Sequence, residues 1–170
     1  MTPSILIAGV GNIFLGDDAF GVEVVRALVA RPLPEGVAVV DYGIRGFDLA
    51  YALLDPWEAV VIVDALSRGD APGTLYTLEP DLDSLKDEPP GETMINPHGM
   101  DPMRVLQLAF SMGTVRARVL VVGCEPKDFG DELEGRMGLS DTAQSSLAGA
   151  VEMVERVVRQ ISAGSGVCTV

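Results

Sequence analysis

The chain has 170 residues, of which 48% are hydrophobic, and it carries a net charge of −13. This length fits a single domain, and the hydrophobic fraction is large enough to fill its core. The negative charge argues against nucleic acid or an anionic membrane as a partner, because both require a basic protein surface.

The first part of the chain alternates short apolar runs with amphipathic stretches. Residues 4–10 are almost continuously apolar and end in glycines, which is typical of a strand buried on both faces of a parallel sheet. Residues 19–30 have apolar side chains at helical spacing, and residues 37–40 predict a second strand. A short helix is predicted at residues 46–54, where an Asp-Pro pair ends it, and a third buried strand at residues 59–63.

The remaining elements follow the same alternation. Residues 74–78 come after an Ala-Pro-Gly turn and predict a fourth strand. Residues 81–92 are polar, acidic and contain proline, so we expect a loop there. A helix is predicted at residues 102–111 and a fifth strand at residues 118–122. Residues 140–161 predict a long amphipathic helix that begins with a capping side chain.

Alternating strands and helices predict an α/β fold, with three α/β/α layers around a mainly parallel, five-stranded twisted sheet. Residues 1–161 are predicted to form a single domain, and residues 162–170 a frayed tail. The sequence shows neither an apolar run of about 20 residues, which would span a bilayer, nor the basic segment of a signal peptide. We therefore expect a cytoplasmic protein.

Acidic residues follow the predicted strands at the end where open α/β sheets bind ligands. Asp17 and Asp18 follow the first strand, Asp41 the second and Asp64 the third. Asp17 and Asp18 also suit the cap of the next helix, so that alternative stays open. Asp64 directly follows Val-Val-Ile-Val, where a carboxylate needs a polar partner or water.

His98 is the only histidine, and it lies in an Asn-Pro-His-Gly sequence that favours an exposed turn. Two carboxylates and one imidazole form a mixed oxygen and nitrogen set that suits zinc, nickel or manganese. Three protein ligands leave coordination positions open for water or for the ligands of a partner. The chain therefore contains a suitable ligand set, although its spacing does not establish that the three side chains converge.

A series of glycine-flanked motifs gives the chain a family resemblance. Residues 9–21, Gly-Val-Gly-Asn-Ile-Phe-Leu-Gly-Asp-Asp-Ala-Phe-Gly, resemble the opening motif of the nickel–iron hydrogenase maturation endopeptidases. Further segments resemble later motifs of that family in the same order: 41–46, 63–65 with 72–74, 97–98 and 122–126. The joint order and spacing of the motifs make this resemblance specific.

The resemblance implies that Asp18, Asp64 and His98 are both the catalytic residues and the metal contacts. It implies an endopeptidase that removes the C-terminal extension of a nickel–iron hydrogenase large-subunit precursor after nickel insertion. The nickel would be presented by this substrate, so no permanently bound metal is expected. Either that nickel polarises a carbonyl or activates water, or a carboxylate acts as general base; the sequence leaves both routes open.

Three other interpretations of the same residues remain. A nickel-binding hydrogenase assembly chaperone would use the same ligands without hydrolysis. A dinucleotide-binding protein would use Gly9 and Gly11, although Phe14 stands where the third glycine of that motif belongs. Cys124 could be a nucleophile with His98 as its base, although a thiol just past a buried strand more often packs in the core.

Two acidic segments, residues 79–92 and 125–134, have no assigned role in this scheme. We interpret them as solvated loops, and the alternative is that they attract a basic tail on the precursor.

Overall fold

The computed structural model describes residues 4–88 and 101–169, and these residues form a five-stranded sheet with helices on both faces. The strands are β1 Ile5–Val10, β2 Val37–Gly43, β3 Ala59–Ala65, β4 Leu75–Leu78 and β5 Arg118–Cys124. Their order across the sheet is β2-β1-β3-β5-β4, and β4 alone runs antiparallel to its neighbour. The predicted mainly parallel sheet is confirmed.

Five α-helices and one short 3-10 helix connect or flank these strands in the described residues. The α-helices are α1 Phe20–Val29, α2 Gly46–Ala52, α3 Leu82–Asp87, α4 Pro102–Met112 and α5 Asp141–Ser162. The 3-10 helix, Gly16–Ala19, directly precedes α1. None of the helices within the described ranges is both long and apolar enough to cross a membrane.

Alternate residues of each central strand pack against opposite helical layers. In β1, Ile5 and Ile7 belong to the core under α1 and α5, whereas Leu6 and Ala8 belong to the core under α2 and α4. Both faces of the strand are therefore shielded from water, which explains why its sequence is continuously apolar rather than alternating. The predicted three-layer arrangement follows from this two-sided burial.

Three strands extend further than the sequence predicted. The strands predicted at 37–40, 59–63 and 118–122 continue to Gly43, Ala65 and Cys124. Backbone pairing continues because Asp64 lies opposite Gly123 in the ladder between β3 and β5. Polar residues at these strand ends consequently belong to the sheet itself, which holds them more firmly than a loop would.

The loop prediction for residues 81–92 is wrong in its first part. Leu82–Asp87 forms helix α3, and the side chain of Asp81 caps it by accepting hydrogen bonds from the backbone N–H groups of Asp83 (3.1 Å) and Ser84 (3.3 Å). Leu82 and Leu85 pack against the core under α2 and α4. The polar composition masked this short amphipathic pattern, and residues 89–92 lie outside the described residues.

Candidate active site

The loops after β1 and β3 separate at the carboxyl end of the sheet. The chain passes from β1 through α1 to β2 on one side, whereas β5 and β4 lie beyond β3 on the other. Such a switch point is where open α/β sheets bind ligands. Asp18 lies in the 3-10 helix after β1, and Asp64 is the penultimate residue of β3. The fold thus places both predicted acids at the switch point.

Asp64 is buried, with 2% of its surface exposed. Its Oδ1 accepts a hydrogen bond from the backbone N–H of Ala65 at 2.8 Å. Burial raises the pKa of Asp64 well above its usual value, and the negative charges of Asp18 and then Asp101 raise it further. Since the fold tolerates this costly position, the carboxyl group is a candidate for a functional role.

Asp18 is partly buried, and the turn around it is tightly packed. Its Oδ2 accepts a hydrogen bond from the backbone N–H of Asn12 at 2.8 Å. Burial raises the pKa of Asp18, while the bond from Asn12 acts in the opposite direction. Gly11 has a φ of +133°, and a side chain there would collide with the Asp18 carbonyl. Gly11 therefore allows the chain to bring Asp18 back over the end of β1.

His98 lies outside the described residues, so its position relative to Asp18 and Asp64 stays a prediction. Among the residues that the structure describes, no group of three or more His, Cys, Asp or Glu side chains is placed to hold a metal ion. Within those same residues, neither Asp18 nor Asp64 takes part in an ion pair. The negative charge of Asp18 acts on Asp64, and this repulsion favours either protonation of Asp64 or an incoming positive charge.

Asp17, next to Asp18, has a different role. It is fully buried and accepts hydrogen bonds from the backbone N–H groups of Lys127 (2.8 Å) and Ser140 (2.7 Å), and from the Ser140 hydroxyl (2.8 Å). Burial by itself raises the pKa of Asp17, but the hydrogen bonds from Ser140 and Lys127 outweigh burial, and the pKa is lowered. Asp17 is therefore a satisfied structural carboxylate.

Glu125 forms hydrogen bonds with the segment that follows β3. Only 3% of it is exposed, and its carboxylate accepts hydrogen bonds from the Ser67 hydroxyl at 3.0 Å and the Arg68 backbone N–H at 2.7 Å. Burial acts to raise the pKa of Glu125, but these hydrogen bonds lower it overall. The interpretation of residues 125–134 as a solvated loop is therefore wrong at Glu125, which supports the segment that follows Asp64.

Cys124 ends β5 and is 1% exposed. Burial, followed by the nearby charge of Asp17, raises the pKa of its thiol to about 11. A thiol with this pKa contains little of the nucleophilic thiolate at neutral pH. The environment of Cys124 consequently favours packing over nucleophilic catalysis.

Comparison with known proteins places this fold and this motif order in one family. The family model for hydrogenase maturation protease matches residues 22–157. The chain belongs to the hydrogenase maturation protease family. The hydrogenase 2 maturation protease of Escherichia coli is 32% identical over 160 residues, which cover 92% of this chain and 91% of that protein. The hydrogenase expression/formation protein HupD of Rhizobium leguminosarum bv. viciae is also 32% identical, over 92% of this chain and 75% of that protein.

Solved structures of maturation proteases share the fold. The hydrogenase maturating endopeptidase HybD from E. coli superposes with a TM-score of 0.70 at 27% identity, and the match covers 93% of each chain. This chain is thus an endopeptidase of the hydrogenase maturation protease family, and the family resemblance seen in the sequence is confirmed. The non-enzymatic interpretation is therefore wrong for this chain, and the comparisons favour the endopeptidase interpretation over the dinucleotide-binding one.

Sequence reasoning missed the structural roles of two acids in this maturation protease. It considered Asp17 as a strand-end acid at the ligand-binding edge or as a helix cap. Because α1 begins without a side-chain cap, the cap interpretation is wrong for Asp17 and Asp18 alike. The hydrogen-bond donors to Asp17 lie 110 to 123 residues away in sequence. No local pattern identifies partners that distant. For Glu125, the sequence offers one indication of a structural role, which is its position directly after a buried strand.

Proposed function

We propose that this protease removes the C-terminal extension of a nickel–iron hydrogenase large-subunit precursor after nickel insertion, and that it senses the nickel through Asp18, Asp64 and His98. The observation that carries the proposal is the buried Asp64 carboxyl group beside Asp18 at the switch point of the sheet. Both groups lack an ion-pair partner among the described residues. A cation delivered by the substrate would relieve their mutual repulsion.

An incomplete ligand set explains how loaded and empty precursors would be distinguished. Two carboxylates and one imidazole are too few to fill the coordination shell of nickel, so ligands of the precursor would complete it. The protease would then bind the loaded precursor more tightly than the empty one, since only the loaded form supplies the cation. In this scheme nickel is part of the substrate.

Two routes of hydrolysis are compatible with this site. In one, the substrate's nickel polarises the scissile carbonyl or activates water, and Asp18 and Asp64 hold the metal. In the other, a carboxylate takes a proton from the attacking water, a role that suits Asp64 because burial raises its pKa and makes its ionised form a stronger base. Asp64 is central to both routes.

Exposed apolar side chains near the site favour a polypeptide substrate. Five large apolar residues protrude from the loops that follow β1, β2 and β5, at the same end of the sheet as Asp64: Phe14, Ile44, Phe129, Leu133 and Met137. Apolar surface of this kind costs free energy in water unless a partner covers it. A peptide segment of the precursor would bury it during cleavage.

The test is cleavage of a purified precursor in its nickel-loaded and nickel-free forms, followed by mass spectrometry. We expect the loaded precursor to lose a C-terminal peptide and the empty precursor to remain intact. His98→Ala should bind the loaded precursor more weakly and leave it uncleaved. Equal cleavage of both forms would contradict nickel sensing, whereas binding without any cleavage by the unaltered protease would contradict the proposed reaction.

A further inference from the structure

Asp17 joins two segments that are far apart in sequence. Besides its bonds to Lys127 and Ser140, its Oδ2 lies 3.3 Å from the backbone N–H of Asp128, so the carboxylate receives four hydrogen bonds in all. The segments joined are the β1–α1 turn (residues 11–19) and the β5–α5 loop (residues 125–140). One buried side chain thus connects the turn that carries Asp18 to the opposite side of the site.

Backbone hydrogen bonds extend this connection along the turn. The Asp17 N–H donates to the Asp128 carbonyl (3.1 Å) and the Gly16 N–H to the Arg136 carbonyl (2.9 Å), while the Arg136 N–H donates to the Phe14 carbonyl (2.7 Å). By contrast, among the described residues the Asp18 side chain accepts one hydrogen bond, from the Asn12 backbone N–H within the same turn. The position of Asp18 relative to Asp64 therefore depends on how the β5–α5 loop holds the turn.

We propose that Asp17 is a positioning residue for the cleavage reaction, because its buried carboxylate locks the turn that carries Asp18 to the β5–α5 loop. The inference rests on the proposed role of Asp18. Groups that orient a metal contact or a catalytic carboxylate must hold it closely, since displacements of about 1 Å are enough to reduce a rate strongly. Asp17 touches neither substrate nor reacting atoms and acts only through its neighbour.

The four donors explain why this position needs a carboxylate. Both oxygens of Asp17 accept hydrogen bonds, and every partner is an N–H or O–H donor. An asparagine has the same shape, but it replaces one acceptor with an NH2 group that would face a donor. Asp17→Asn should therefore shift the turn while keeping the fold, and Ser140→Ala should do so more weakly because only the hydroxyl is lost.

The experiment measures kcat and KM on nickel-loaded precursor at a temperature at which every variant is fully folded. We expect Asp17→Asn to lower kcat by about 10- to 100-fold, the usual effect of losing a supporting contact, with little change in KM. Ser140→Ala should lower kcat a few-fold and Ser140→Thr, which keeps the hydroxyl, should restore it. The control is Val158→Ala, a buried position of α5 outside the site, which should lower stability but leave kcat unchanged.

A second measurement keeps the inference separate from the proposed function. The Asn12 amide, which donates to Asp18, should shift in the NMR spectrum of Asp17→Asn and stay in place in Val158→Ala. A normal kcat together with an unshifted Asn12 amide in Asp17→Asn would overturn the positioning role. If the unaltered protease left the loaded precursor intact, the proposed function would fail, and the Asn12 amide would still decide the role of Asp17. Should Asp17→Asn not fold, the Ser140 pair provides both measurements.

Discussion

Asp17 and Asp64 are both buried carboxyl groups, but their environments shift their pKa values in opposite directions. Asp17 receives hydrogen bonds from four donors, which lower its pKa despite burial. Asp64 receives one hydrogen bond from the described residues, from Ala65, and its pKa is raised by burial and then by the charge of Asp18. A satisfied carboxylate stabilises the fold, whereas an unpaired buried one costs stability and is retained for another purpose. This contrast supports the proposed functional role of Asp64 and a supporting role for Asp17.

The first residue-scale prediction concerns Asp64→Asn. The pKa of Asp64 is raised on folding, so its contribution to stability is fully present below the unfolded pKa of about 3.9 and is lost as pH rises through the folded pKa. An asparagine side chain does not ionise, so the variant does not lose stability in this way as pH rises. Its Tm should match the Tm of the parent near pH 4 and equal or exceed it at pH 7. Precursor cleavage should be abolished at every pH.

Thermal melts from pH 4 to 8, together with a cleavage assay, check this prediction. A variant that is markedly less stable at pH 7 than the parent would show that Asp64 has a stabilising partner. Retained cleavage would remove Asp64 from the site.

The second residue-scale prediction concerns the two cysteines. Cys124 is buried with a thiol pKa of about 11, whereas Cys168 is exposed. Iodoacetamide should therefore modify Cys168 and spare Cys124 in the folded protein at neutral pH, because alkylation requires an accessible thiolate. Cys124→Ala should retain precursor cleavage. Mass spectrometry of the alkylated protein and a cleavage assay test both points, and an inactive but folded Cys124→Ala variant would reopen nucleophilic catalysis.

At the scale of elements, the strand ends and the loops that follow them build the site. β3 carries Asp64 directly, and the segment after β3 is tied to β5 through Glu125. The Tyr76 hydroxyl, on β4, donates a hydrogen bond to the Leu66 carbonyl at 2.8 Å. The antiparallel edge strand thus helps to support the segment after Asp64.

The element-scale prediction concerns Glu125→Gln. It should lower Tm by several degrees at pH 7, because the charge that accepts the bonds from Ser67 and Arg68 is lost. The pKa of Glu125 is lowered on folding, so its stabilisation is present above the unfolded pKa of about 4.3 and is lost as pH falls through the folded pKa. The difference in Tm between the variant and the parent should therefore become smaller at acidic pH. Glu132→Gln, at an exposed position, is the matched control and should leave Tm unchanged.

At the scale of the whole molecule, the two ends of the sheet have different surfaces. The carboxyl end carries the site acids and the exposed side chains of Phe14 and Met137. α1 runs away from that end, so Val29, which is 71% exposed at its last position, lies at the other end. This asymmetry is what an enzyme that docks a protein substrate on one side requires.

The whole-molecule prediction is a difference in KM between the two ends. Phe14→Ser and Met137→Ser should each raise KM for the precursor by roughly tenfold, about 1.4 kcal/mol, while kcat is kept. Val29→Ser removes an equally exposed apolar side chain at the other end and should leave KM unchanged. Steady-state kinetics on the loaded precursor tests this prediction. Equal KM values for all three variants would show that the substrate docks on another part of the surface.

The α/β class and the positions of the strands were predictable from the sequence, because two-sided burial requires continuously apolar strands such as the one at residues 4–10. The acids at strand ends were predictable for a different reason: open α/β sheets bind ligands at the carboxyl ends of their strands. The residues at which the strands end were not predictable from the sequence. Backbone pairing across the sheet, as between Asp64 and Gly123, decides how far a strand continues.

The sequence alone therefore determined the layered fold, the family and the candidate acids, all of which follow from local patterns and their order. The tertiary structure alone distinguished the environments of Asp17 and Asp18, which are adjacent and chemically identical. Their difference lies in their partners: Asp17 meets donors at Lys127 and Ser140, and Asp18 meets Asn12. Folding brings those donors together over more than a hundred residues, and their number decides whether a buried carboxylate is stabilised or left available for chemistry.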